Sequence, residues 1–348
     1  MAVYLIIYLV LAVLALSVRK SREGPVLLAV LLFLFWFMGW RSYVGCDFTG
    51  YLSRYDNIPS WASVSDALLQ REAGFQLVIT LVKVSGLSFL WLNVIASAII
   101  LLGYYRYFRV SQQPLTEIAL FFPVIILQLS MSGIRQGIAV ALVTAACAEF
   151  IKGRRIATGL WILLAAQFHS SAAVFLPLAL LAGRSLSIVK LMVAVAVLTP
   201  LSVYAMGERL DDYTDQYVRQ VYGDVDSSGA FLRYLLALAP ALFFLRFKTR
   251  FSKVMPHWRS LFETFSLAII FTAPVFLASS LAVHRITFYL MPVSIMIAAN
   301  SYKAFNAKDS RRLLRIAPLL LYGAYIVSWF SFSTHAAICY LPYDSYSF

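Results

Sequence analysis

The residues of this chain with chemistry to offer are few, and most interrupt apolar runs. Arg135-Gln136 follow Met131-Ser132-Gly133-Ile134, and His169 stands in Gln167-Phe168-His169-Ser170-Ser171. Arg233 lies alone in an apolar stretch, and His284-Arg285 come shortly before Tyr289. Arg41 and Asp47 follow an apolar run ending at Trp40, separated by Gly45 and ringed by Tyr43, Phe48 and Tyr51. Glu72 precedes Ala73-Gly74-Phe75. A charge inside a membrane span costs ~3 kcal/mol on insertion scales, so such residues usually face a cavity or a partner.

Their types point to anion binding and proton transfer. Ser132 reads as an N-cap, which leaves free backbone N–H groups beside Arg135, and helix N-termini with an adjacent arginine bind phosphates. Arg285 and Tyr289 are one turn apart on one helix face. Two or three arginines facing one cavity suit a pyrophosphate, with Gln136, Arg233 and His284 as further contacts. For any single arginine, snorkelling to the interface or pairing with a carboxylate explains the residue equally. His169 is a candidate general base, since histidine titrates near neutral pH; the competing reading is a buried neutral ring bonded to a backbone carbonyl. Asp47 and Glu72 are the other candidate bases. Gly45 lets the chain turn the Asp47 carboxylate back toward the membrane, whereas Glu72 also reads as a helix-start carboxylate for 74–85. The acidic segment 207–228 interleaves Asp with Tyr, as a sugar- or cation-contacting loop or as a solvated one. There is no phosphate-binding P-loop, dinucleotide fingerprint or HExxH. A cytoplasmic nucleotide-sugar donor is unsupported, and no metal or cofactor is required if arginines neutralise a leaving group.

The elements that must position these residues are membrane helices. The chain has 348 residues, 61% of them hydrophobic, with a mean hydropathy of +0.79. Runs of about 18 residues without charge are long enough to cross a bilayer core; 24–40, 86–105, 118–134, 186–207, 264–283, 286–302 and 316–334 qualify or nearly so. The first 18 residues are followed by Arg19, Lys20 and Arg22, the reverse of a secretory signal, and read as a first span. The net charge of +13 reflects basic loops rather than nucleic-acid binding. Loops 19–23, 106–117, 152–155, 184–190, 246–259 and 303–315 hold 20 of the 29 Lys and Arg, which places them in the cytoplasm. Segments 41–86 and 207–228 then face outward, with both termini outside and about twelve crossings. Residues 74–85 are too short to span and read as a re-entrant or interfacial helix. Residues 156–183 read as two short helices meeting at the polar break 167–171. The expectation is one all-α, polytopic membrane domain over 1–348. Cys46, Cys147 and Cys339 are scattered, and neither a disulfide framework nor a zinc site is indicated.

The ordered set W-R-x3-G-x-D-x3-Y (40–51), E-x-G-F (72–75), I-R-Q-G-I-A (134–139), Q-F-H-S-S-A (167–172) and H-R-x3-Y (284–289), with the tail Y-L-P-Y (340–343), resembles the EpsG/Wzy-type family of bacterial polysaccharide polymerases. Asp344 departs from the basic residue expected after the terminal Pro-Tyr. The resemblance implies a GT-C-like membrane glycosyltransferase of the bacterial cytoplasmic membrane. It would join oligosaccharide repeat units carried on undecaprenyl diphosphate at the outer face, making capsule, exopolysaccharide or O-antigen. Its implied partners are the lipid-linked donor and acceptor, membrane lipids, and a chain-length regulator and flippase of the same pathway. On this reading Arg135 and Arg285, helped by Arg41, hold the diphosphate; Asp47 or His169 takes the acceptor proton; Tyr51 and Tyr289 stack on sugars or the polyprenyl stem. A flippase or exporter of lipid-linked glycans is the rival, but it should carry internal repeats and mid-membrane polar residues, and neither is found. An O-antigen-type ligase is the nearest enzymatic alternative.

Overall fold

A computed structural model describes residues 1–183, 229–278 and 280–346. The basic loop 184–190, the apolar run 186–207 and the acidic loop 207–228 lie outside the described residues. All regular elements among the described residues are helices, beside an isolated antiparallel bridge between Arg41 and Ser345. It forms two compact units. The first comprises Met1–Ala145, Leu164–His169 and Leu319–Phe348; the second comprises the described residues of Ala146–Leu163 and Ser170–Pro318.

In the first unit, α1 (Ala2–Ser17) and α2 (Glu23–Gly39) are followed by three short helices, α3 (Phe48–Asp56), α4 (Val64–Leu69) and α5 (Ala73–Val84), and then by α6 (Leu90–Phe108). Pro114 opens α7 (Pro114–Phe121), which continues as a π-helix over Phe122–Ser130. A turn at Met131-Ser132 leads into α8 (Ile134–Phe150). The π-helix is buried on every side except at Gln128, and in α8 Ile138, Ala139, Val140 and Ala141 are buried in succession. An apolar helix with no exposed face belongs at the centre of a bundle. Small residues let backbones approach there: a Cβ on Gly103 of α6 would lie 2.8 Å from the Ala141 carbonyl oxygen. Gly39 packs on Val94 less tightly, where an added Cβ would lie 3.3 Å from the Val94 Cα.

The second unit begins at Ala146, in the last part of α8, and takes in α9 (Arg155–Ala166) as far as Leu163. A 3-10 turn (Ser170–Phe175) and α10 (Pro177–Leu181) follow the interruption at 167–169. The expected break in 156–183 is therefore present. After the undescribed segment come α11 (Ala230–Arg246), α12 (Lys248–Val254), α13 (Arg259–Ala278) and α14 (Ser280–Asn300). α11, α13 and α14 pack on one another. A sharp bend of 86° separates α11 from α12 and is filled by Phe243, Phe244, Phe247 and Phe251. Glu263 closes that end with ion pairs to Lys248 at 2.9 Å and Arg259 at 2.7 Å. The chain ends with α15 (Lys308–Phe332) and α16 (Thr334–Tyr340).

Among the described residues, three helices are long and apolar enough to cross a membrane: Lys20–Gly39, Leu90–Phe108 and Lys308–Phe332. The bent pair Ala230–Arg246 and Lys248–Val254 is a fourth if counted as one span, and shorter apolar helices include α1, α5 and α9. The 12-residue α5 matches the expected short helix in 74–85. Cys46 and Cys339 are joined in a disulfide, which corrects the expectation of no disulfide. Spacing along the chain carries no sign of a pair 293 residues apart. Cys147 is free and buried in α8.

Candidate active site

Glu72 is the residue on which the first unit's polar cluster is built. Two charged bonds use both of its carboxylate oxygens. Oε2 accepts from Arg135 Nη1 at 2.6 Å, and Oε1 lies 2.9 Å from His169 Nδ1. Glu72 is the N-cap of α5 and stands in the left-handed region, φ 56° and ψ 48°. A non-glycine residue held there costs ~1–3 kcal/mol, offset here by the two bonds that aim its side chain.

The three partners reach one another because three backbone segments pack closely. α9 ends at Ala166, and the amides of Phe168 and His169 both bond back to the Ala165 carbonyl, turning the chain. The Gln167 carbonyl, freed by that turn, accepts from the amides of Gly74 at 2.9 Å and Phe75 at 3.3 Å. Gly74 permits the approach: a Cβ there would lie 3.0 Å from Gln167 Cβ and 3.2 Å from both its carbonyl oxygen and Phe168 Cε2. E-x-G-F and Q-F-H-S-S are thus two halves of one junction. Phe75 adds a ring over which both Arg135 and Arg54 lie, at 5.9 Å and 5.6 Å from its centroid. Arg54 was absent from the sequence-based set; the available signal was its place three residues after Tyr51, on the same face of α3.

The third segment is the opening of α8. The Ser132 hydroxyl accepts from the Asp47 amide at 3.3 Å. The Arg135 amide donates to the Tyr51 hydroxyl at 3.4 Å, so this first-turn N–H is taken rather than free. Burial pushes the Tyr51 phenol upward from its ordinary pKa, opposed by the Arg135 guanidinium. Tyr51 is 7% exposed, which makes it a support for Arg135 instead of an open sugar platform. Gly45 bears out the expected turn. Its φ is 106°, and a Cβ would fall 2.1 Å from the Met131 carbonyl oxygen. The Asp47 carboxylate lies beside Gly133, 3.9 Å from where a Cβ would stand, at the electropositive end of α8. Gln136 is buried in the same turn.

Arg41 has another position altogether. It is 1% exposed, and its guanidinium donates to the carbonyls of Val44 and Met38. Tyr340, Tyr343, Tyr51 and Tyr4 surround it, and burial lowers its pKa to about 10. Tyr343 donates to the Phe37 carbonyl at 2.8 Å and Tyr346 N–H to the Trp40 carbonyl at 2.9 Å. The Y-L-P-Y tail is the lid over this arginine, and Asp344 uses its carboxylate on the Ser345 amide.

The remaining residues of the sequence-based set fall in the second unit. Arg233 Nε donates to His284 Nδ1 at 3.1 Å, which fixes a neutral His284 with its proton on Nε2. Arg285 is half-buried beside it. Tyr289 is 2% exposed, its hydroxyl 2.9 Å from Ser171 Oγ and its ring on Phe175 at 4.9 Å.

The motif residues therefore meet in space in two groups. The first joins 40–51, 72–75, 134–139 and 167–169. The second joins Ser171 with the H-R-x3-Y segment and Arg233. A family model described as the EpsG family matches residues 26–345, nearly the whole chain. The chain belongs to the EpsG family. No curated protein and no solved structure matches it. Membership places this EpsG-family protein with membrane proteins of polysaccharide biosynthesis that have a polymerase-like role.

Proposed function

We propose that this protein is a GT-C-like membrane glycosyltransferase. It joins oligosaccharide repeat units carried on undecaprenyl diphosphate, at the outer face of the bacterial cytoplasmic membrane. The observation that carries this reading is the Glu72 carboxylate bridging Arg135 and His169.

A carboxylate on Nδ1 holds the neutral imidazole with its proton on that nitrogen, so Nε2 carries the lone pair. His169 is then the general base. Nε2 takes the proton from the acceptor hydroxyl as the oxygen bonds to the anomeric carbon of the donor sugar. Glu72 stabilises the imidazolium that results, and it serves as orienter instead of base. On the donor side, the bond from the anomeric carbon to the diphosphate oxygen breaks, and undecaprenyl diphosphate departs with the electron pair. Arg135 is placed to meet that charge. Its side chain is 31% exposed, and its Nε is buried with no hydrogen-bond partner among the described residues. The guanidinium is bonded to Glu72 and to the Tyr51 hydroxyl; its exposed part can hold an anion. Asp47, at the start of α8, is kept as the alternative base. Arg285, Arg233 and His284 form a second basic group, to which we assign further contacts with the substrates. Arg41 leaves the diphosphate set, because its donors are used within the fold.

Purified protein incubated with a lipid-linked repeat unit tests the reading. A ladder of longer lipid-linked products, lost in His169→Ala, is expected. Transfer to an unrelated glycolipid without a ladder would mean a ligase. Movement of substrate across vesicles without new linkages would mean a flippase or exporter.

A further inference from the structure

We propose that the Cys46–Cys339 disulfide is a positioning clip for the site, closed on the oxidising side of the membrane, and that turnover depends on it. The Cα atoms of the pair are 4.8 Å apart, within the normal span of a disulfide. What the bond holds gives it consequence.

Cys46 sits between two residues already pressed on the opening of α8. On one side, Gly45 lies against the Met131 carbonyl and donates its amide to the Cys339 carbonyl at 2.7 Å. On the other, Asp47 donates its amide to Ser132. One turn further on, Tyr51 receives the Arg135 amide. Cys339 lies in α16, whose Tyr340 donates to the Leu127 carbonyl in the π-helix at 3.1 Å. The clip therefore joins 45–51, which presses on the turn 131–135, to α16, which is bonded to the π-helix that leads into that turn. The hydrogen bonds from 45–51 to the opening of α8 are long, 3.3 Å from the Asp47 amide to Ser132 and 3.4 Å from the Arg135 amide to Tyr51. The Arg41 hub adjoins the clip through Tyr51 and Tyr340 but has its own bonds to Met38 and Val44, and the tail bonds beside it. Opening the disulfide would loosen the segment that sets Arg135 while leaving the body of the unit closed.

Disulfides persist in oxidising compartments and are rare in the reducing cytosol. The pair therefore puts 41–51 and the C-terminal tail outside, on grounds independent of the Lys and Arg distribution. Closure follows insertion of α15, since Cys339 lies beyond it. The two thiols give up two protons and two electrons to a protein disulfide of the outer compartment, which becomes a dithiol. Buried Cys147 takes no part.

The test begins with thiol counting on the full-length protein in membranes. Alkylation after denaturation is expected to add one label without reductant and three with it; three labels without reductant would overturn the proposal. On intact spheroplasts treated with a reductant, a membrane-impermeant maleimide should label Cys46 and Cys339. Labelling confined to inverted vesicles would refute the sidedness. The positioning half rests on the polymerase reading, whereas the thiol count and its side do not. Reduced protein should turn over roughly ten- to a hundredfold more slowly, as a misplaced group would cost. A short bivalent thiol reagent that bridges the pair should restore the rate, and a monovalent maleimide should not. Cys46→Ser, Cys339→Ser and the double variant should be equally slow. Unchanged turnover after full reduction, or rescue by the monovalent reagent, would reduce the clip to a structural staple.

Discussion

Glutamine in place of Glu72 changes one oxygen to an amide nitrogen and little else in size, yet both partners of that side chain are donors. Arg135 Nη1 and His169 Nδ1 each require an acceptor, and glutamine supplies one. If its oxygen stays on Arg135, its NH2 faces Nδ1 and can be satisfied only when that nitrogen carries the lone pair. The proton then moves to Nε2, and the proposed base is lost. If the oxygen turns to His169, the NH2 faces a guanidinium, and Arg135 loses the partner that places it. A charge-assisted bond contributes ~1.5–3 kcal/mol; the partial exposure of Arg135 keeps the loss from the ion pair toward the lower figure. Removing a positioned base costs roughly 10²–10⁴ in rate. Glu72→Gln should therefore slow polymer formation by at least ~100-fold, at normal expression and with lipid-linked substrate still bound. Initial rates of ladder formation on purified protein measure this. Because the two residues act as one device, Glu72→Gln/His169→Ala should be no slower than the slower of the two single variants. A Glu72→Gln rate within threefold of the parent, or losses that multiply in the double variant, would refute the relay.

Three further outcomes follow from the same geometry. Arg135→Lys keeps the charge but not the fork that serves Glu72 and an anion together, so the rate should fall about tenfold or more; equal rates would mean that only charge matters there. Gly74→Ala places a Cβ against Gln167 and Phe168. It should cost ~1–3 kcal/mol of stability by overpacking and separate Glu72 from His169, read as a lower melting temperature together with a lower rate. Arg41→Met should lower the melting temperature, because the Val44 and Met38 carbonyls lose their donor. The surviving folded protein should keep its substrate KM; a raised KM with unchanged stability would return Arg41 to the substrate.

The chain's residues alone established that it is a helical membrane protein, because apolar run length and loop charge are local properties that the bilayer reads directly. They also picked out the polar interruptions at 135, 169 and 284, the break in 156–183, the turn at Gly45 and the family motifs. Partnership was decided only in three dimensions. Glu72, Arg135 and His169 come from separate segments, the cap of α5, the first turn of α8 and the break after α9, and nothing periodic links their positions. The same holds for Cys46 and Cys339 at opposite ends of the chain. Arg41 shows the converse: its type and spacing suited a phosphate, but tail residues far along the chain bury it against backbone carbonyls. Local pattern determines which elements form and where a charge interrupts them. Packing between distant segments determines which charge meets which, and so which residues are left facing a substrate.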